Sequence, residues 1–252
     1  MLFPANRYTV ASIFFILEIA KPAAAHEFAA CPQFFANASP PVVAAQPTQR
    51  ALCYDAFAVL HSGQSKTPVY VAEKLNKASV ADADEKRTDR FFADARLRAA
   101  ERAKLEDYKG SGYDRGHMAP AGDMPTAQAM AQSFSLANMV PQTPELNRGV
   151  WAKSVEMATR KYVSRAAGDV FVITGPVYVP SIAQSPGIGP GKVRVPKYLF
   201  KLVYDQSLNK AWAYWLELLT LLWLYSTSTA LLFPYSFPVT SSNMNYTGVV
   251  LA

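Results

Sequence analysis

The order of segments along the chain predicts an α+β fold, a central antiparallel sheet with one long helix. Three observations carry that prediction. Residues 169–175 are an unbroken β-prone run, and residues 193–204 and 211–215 flank a turn at Asn209-Lys210 in the manner of a hairpin. Residues 53–60 and 68–72 form a second strand pair across the turn-forming Ser62-Gly63-Gln64-Ser65. Between these groups Leu146, Val150, Val155, Ala158, Tyr162 and Val163 give residues 145–166 a helix with one buried face, which Gly168 terminates.

The chain has 252 residues, enough for one large domain or two small ones. It opens with Arg7, a mostly apolar run over residues 9–20, and Ala23-Ala24-Ala25 before His26. That is the pattern of a cleaved export signal, so residues 1–25 are expected to be a signal peptide and the protein secreted or periplasmic. Residues 26–50, with Pro40-Pro41 and Pro47, read as an extended arm on the surface. In an oxidising compartment the two cysteines, Cys31 and Cys53, would form a disulfide tying this arm to the first strand; two buried thiols are the alternative. Without a nearby histidine pair they do not make a zinc site.

Residues 78–109 interleave acids and bases and read as a solvated loop and helix face. Residues 126–132 have helical character, with Thr126 or Asp123 as cap. Residues 180–191 are rich in Pro, Gly and Ser and should be a loop, and Pro196 must sit at the start or edge of its strand.

The stretch with the most chemistry is Ser111-Gly112-Tyr113-Asp114-Arg115-Gly116-His117-Met118-Ala119-Pro120. A histidine on a stiff, glycine-bounded strand suits general-base work, because its ordinary pKa lies near neutrality. Downstream stand Ser135-Leu136-Ala137-Asn138, Pro141-Gln142, Leu146-Asn147-Arg148-Gly149-Val150-Trp151 and Glu156. These motifs, in this order and approximate spacing, resemble those of the DNA/RNA non-specific endonucleases, over roughly residues 51–215. The resemblance implies a ββα-metal finger as catalytic core, with residues 114–120 as its first strand, residues 136–140 as its second strand or turn, and the long helix carrying the metal ligand. It makes residues 51–217 the nuclease domain.

It also implies roles. His117 would be the general base; the plain alternative is a core histidine. Asn147 would hold a hydrated Mg²⁺, with Mn²⁺ as the alternative ion, since a hard cation accepts an amide oxygen and keeps several waters; a helix cap is the plain reading. Glu156 would orient metal-bound waters, although one more residue separates it from Trp151 than in several relatives. In a regular helix one residue turns a side chain by about 100°, so a local bulge would have to absorb it. Arg90, before Phe91-Phe92, would stabilise the transition-state phosphorane, with Arg87 as the alternative; a guanidinium stays charged and grips two phosphate oxygens. Asp114 and Arg115 would hold the His117 strand. Asn138 would support the site by hydrogen bonds or serve as a turn residue, and Arg160 would contact phosphate or face solvent. Trp151 reads as core.

A net charge of +6 and a pI of about 9.2 suit a phosphate-rich partner. No Gly-x-Ser-x-Gly elbow points to a serine hydrolase, and no recognition module points to sequence-specific reading. The expectation is an exported, Mg²⁺-dependent endonuclease acting on DNA and RNA. Its rivals are an inactive nucleic-acid binder and a membrane-tethered surface protein. The latter rests on the tail: from Leu218 to Ala252 no residue is charged. A shifted reading frame near Glu217, an apolar tail, or a membrane anchor would each account for that change of composition.

Overall fold

The protein is described from a computed structural model covering residues 28–218 and the strand 235–238. The strands are β1 Gln49–Cys53, β2 Phe57–Ser62, β3 Thr67–Leu75, β4 Asp114–His117, β5 Met139–Gln142, β6 Val170–Val177, β7 Gly187–Ile188, β8 Val193–Arg194, β9 Tyr198–Asp205, β10 Lys210–Glu217 and β11 Tyr235–Pro238. Seven of them form one antiparallel sheet in the order β1-β2-β3-β6-β9-β10-β11. The run at 169–175 thus becomes the central strand, and 211–215 returns beside β9 as predicted. β4 and β5 pair separately as an antiparallel hairpin. The helices are α1 Lys77–Ala81, α2 Leu105–Tyr108, α3 Ala127–Ser133 and α4 Met157–Val163. A π-helix, Leu146–Glu156, runs directly into α4.

Alternate residues of the sheet enter two different cores. Phe57, Val59 and Val71 face the β4–β5 hairpin and the π-helix, packing with Met118, Phe134, Met139 and Trp151. Ala58, Leu60, Tyr70 and Ala72 face the other way. Burial on both faces explains why these strands read as continuous apolar runs.

The second face shows what residues 28–38 do. The expected extended surface arm instead forms two 3₁₀ turns, Pro32–Phe34 and Ala36–Ala38, and drives Phe28, Phe34 and Phe35 into the sheet. Burying such side chains is worth about 1.5–3 kcal/mol each, more than a solvated arm would gain. The Cys31–Cys53 disulfide joins this cap to the end of β1.

Two predicted strands are each divided. The run at 53–60 breaks at Tyr54-Asp55-Ala56, where Tyr54 N–H donates to Phe57 O at 2.9 Å and the Tyr54 hydroxyl is drawn to Asp94 at 2.6 Å. The run at 193–204 breaks at Pro196, which has no N–H for a ladder. Its first part pairs with β7 and its second part joins the main sheet as β9. The signal-peptide reading of residues 1–25 lies outside the described residues, as does most of the uncharged tail; of the tail, β11 pairs with β10. Among the described residues no helix is long and apolar enough to cross a membrane.

Candidate active site

The β4–β5 hairpin presents the motif. Gly116 lies where a side chain would collide with the amide of Gln142 from β5, so only glycine lets the two strands close here. His117 ends β4 and is 7% exposed, with Phe134 edge-on at 4.9 Å and Phe91 at 5.9 Å between ring centroids. Its Nε2 has no hydrogen-bond partner. Burial, and then the charge of Arg87, push its pKa down to about 3, so the ring is neutral at physiological pH.

Asn138 fixes the backbone behind this ring. Its Nδ2 donates to Ala119 O and Ser133 O, each at 2.9 Å, and its Oδ1 accepts from Ala119 N–H at 2.9 Å. Its carbonyl takes the Met118 N–H at 3.0 Å. With the amide fully engaged, Asn138 ties the end of α3 to the residues following His117.

At the other end of β4, Asp114 holds the π-helix. Arg148 grips its carboxylate with two hydrogen bonds, of 2.6 and 2.8 Å, and Asn147 Nδ2 donates to it at 2.9 Å. Burial raises the Asp114 pKa, but these bonds outweigh it and keep the carboxylate below its ordinary range. Asn147 is therefore held by its nitrogen, which leaves Oδ1 out of that bond. One strand, about 10 Å long at 3.3 Å per residue, carries both the imidazole and the anchor of the asparagine.

The π-helix settles how Glu156 and Trp151 lie together. Its i→i+5 bonds make each turn wider than an α-turn, and Met157 N–H still reaches Ala152 O, five residues back. Gly149, at φ −98° and ψ −114°, supplies the one non-helical residue inside it. The additional residue noted in the sequence is taken up here. Trp151 is fully buried, as expected of a core residue, and the Glu156 carboxyl enters a cluster of charges beneath the helix. That cluster holds Glu73 from β3, Asp123, Arg160 from α4, and Lys201 from β9. Arg160 donates to Asp123 at 2.9 Å, so the half-buried guanidinium is held by a buried carboxylate rather than left free in solvent. Burial pushes Glu156 up to about 7, opposed by Lys201 and Arg160 and assisted by Asp123.

The arginines divide differently from expectation. Arg87 lies over the Phe134 ring at 4.9 Å and is the one charge that acts on His117. Arg115 lies over the Phe91 ring at 4.2 Å. Arg90 is exposed, as Arg87 is, but it is not among the charges that shift the His117 pKa. Closeness to the aromatic pair favoured Arg90 in the sequence; the left-handed turn at Asp89, φ 51°, with its 2.6 Å ion pair to Arg87, places Arg87 there instead. Glu73, Lys201 and Phe134 were missed. The signal for the first two was strand parity: Glu73 alternates with Val71 and Leu75, and Lys201 with Leu199 and Val203, all core-facing.

The donor set fits the divalent ion that the resemblance implies. Among the described residues no group of three or more His, Cys, Asp or Glu could hold a metal. An amide oxygen on a pinned asparagine suits a hard and largely hydrated cation rather than one that seeks nitrogen or sulfur.

The family model for DNA/RNA non-specific endonucleases matches residues 37–231. The chain belongs to the DNA/RNA non-specific endonuclease family. It is 36% identical over 162 residues to the human mitochondrial nuclease EXOG, covering 61% of this chain and 43% of that one. It is 33% identical over 160 residues to human mitochondrial endonuclease G, covering 60% and 51%. The chain thus spans about half the length of these relatives. A crystal structure of an EndoG/EndoGI complex superposes with a TM-score of 0.60 at 27% identity, over 67% of this chain and 74% of that chain. The non-specific endonuclease fold is therefore α+β with a central antiparallel sheet, and the β4–β5 hairpin with the following helix is its ββα-metal element. The expected secreted or periplasmic location is corrected: these relatives are mitochondrial nucleases rather than exported ones.

Proposed function

We propose that the protein is a divalent-metal-dependent endonuclease that hydrolyses phosphodiester bonds of DNA and RNA with little sequence preference, leaving 5′-phosphate ends. The observation that carries this reading is a neutral, buried imidazole with an unpartnered Nε2 on the strand whose first residue pins Asn147. Asn147 Oδ1 would hold the ion, Mg²⁺ in preference to Mn²⁺. When bound, that ion would neutralise charge on the phosphate and supply a water to protonate the leaving 3′ oxygen.

His117 Nε2 is the acceptor for the proton of the attacking water. A pKa near 3 makes the resting ring a weak base, and the causes of that value change with substrate. A bound phosphate places negative charge by the ring and takes up the charge of Arg87, so both effects favour the imidazolium as the proton arrives. Arg87 is the guanidinium best placed to grip the phosphate oxygens, with Phe134 fixing its plane. Asn138 keeps His117 in register, and Asp114 keeps Asn147 at a fixed offset from it. Glu156, when ionised, accepts hydrogen bonds from water in the site and so orients it.

In a plasmid-nicking assay His117→Ala should lose about 10²–10⁴-fold in rate with an unchanged circular dichroism spectrum. Asn147→Ala should need more Mg²⁺ for half-maximal rate. Near-normal turnover by the first variant, or an unchanged Mg²⁺ titration of the second, would remove that residue from its role.

A further inference from the structure

The cluster beneath the π-helix contains more charge than a structural network needs, and its composition can be balanced group by group. Three carboxyls meet there, Glu73 from β3, Asp123 from the turn after β4, and Glu156 from the π-helix. Two cations face them, Arg160 from α4 and Lys201 from β9. Asp123 and Arg160 are joined at 2.9 Å and satisfy each other. What remains is one cation, Lys201, against two carboxyls.

Glu73 is 1% exposed, and neither of its oxygens has a hydrogen-bond partner. A carboxylate in that position would be costly to keep charged, so Glu73 is the group that retains a proton. Lys201 is also 1% exposed, and its ammonium makes one hydrogen bond, to Thr174 Oγ1 at 2.9 Å, out of three it can donate. It lies 6.0 Å from the ring of Trp151, on the inner side of the π-helix. Trp151 Nε1 itself makes no hydrogen bond, though it lies towards Glu156.

We propose that Lys201 is a positioning residue for the reaction: its buried ammonium is the counter-charge that keeps the Glu156 carboxylate ionised, and so able to orient water in the site, while Glu73 stays protonated beside it. The proposal rests on the nuclease reading only for the role of Glu156. In the substrate-free protein His117 is neutral around pH 7, so an acid limb of kcat/KM would follow Glu156, whose pKa burial pushes up to about 7. Without Lys201 the only cation left to oppose the effect of burial on Glu156 is Arg160, already paired with Asp123, and that limb begins at higher pH.

The test uses the full chain with ¹³C-carboxyl-labelled glutamate, metal-free, Glu156 being assigned through Glu156→Gln. In Lys201→Met the Glu156 titration midpoint should rise by about one unit or more, and in Lys201→Arg it should stay near the parent value. Glu73→Gln, which mimics the protonated acid, should leave the midpoint in place. Plasmid nicking at saturating Mg²⁺ should show an acid limb that moves with the NMR midpoint. If Lys201→Met does not hold its fold by near-ultraviolet circular dichroism, Lys201→Gln takes its place. An unmoved midpoint in a folded variant overturns the proposal, as does a rate lost equally at every pH. A midpoint that falls by a unit in Glu73→Gln also overturns it, because Glu73 would then share the charge. An unmutated protein that nicks no plasmid sinks the nuclease reading, whereas the carboxyl titration by itself reports whether Lys201 holds Glu156 ionised.

Discussion

Single side chains act here through what they lack. His117 Nε2 has no partner, Glu73 has none for either oxygen, and Asn138 has no unused donor. The first is free for chemistry, the second is held neutral by burial, and the third is a bracket. Arg87 and Arg90 make the contrast testable. Arg87→Ala should lower kcat by about 10²–10³-fold, the scale of losing one charged contact to a transition state, whereas Arg90→Ala should stay near the parent value. Equal losses in steady-state nicking would mean that the stack on Phe134 does not select the working arginine. The choice could not be made from sequence, because both arginines sit in an irregular run whose path turns on the left-handed backbone of Asp89. His117, Asn147 and Glu156 were legible as candidates because the motif fixes their identity and order.

At the scale of elements the π-helix matters most. One added residue in an α-helix would have turned Glu156 away from the cluster or Asn147 away from Asp114; the wider turn lets both hold. Deleting Ala152 should return the segment to α-helical spacing with its two ends in the same relative orientation, because the wide turns absorb one residue. The expected result is a nicking rate near the parent value in a protein that still folds. A deletion variant that loses about 10²-fold in rate, as for small misplacements of reacting groups, would show that the wide turns themselves shape the site. The main strands were readable from composition because both faces are buried. Their breaks were less so: the break at Tyr54 depends on Asp94 and Ser135, which are distant in sequence. Glu73 and Lys201 were readable by alternation, but a charge in a strand is ordinarily taken as its solvent side.

At the scale of the molecule, the described residues form a sheet covered on both sides, by the layer of candidate site residues on one and by Phe28, Phe34 and Phe35 on the other. The disulfide closes 22 residues between that cover and β1. Cys53→Ser should cost about 3 kcal/mol of unfolding free energy, as loop-closure entropy gives for a loop near this size. Nicking rate per folded molecule should not change, because the far face touches none of the candidate residues; denaturant unfolding alongside the assay separates the two. A larger stake lies in β4. Since one four-residue strand sets the spacing between the imidazole and the asparagine, the two cannot drift apart without breaking the hairpin, whereas Arg87 hangs from chain with no regular structure. On the proposed mechanism, bond-breaking geometry and phosphate capture would thereby be inherited separately: the loop could lengthen, shorten or follow an irregular nucleic-acid backbone, and the gap in which water attacks would stay the same width.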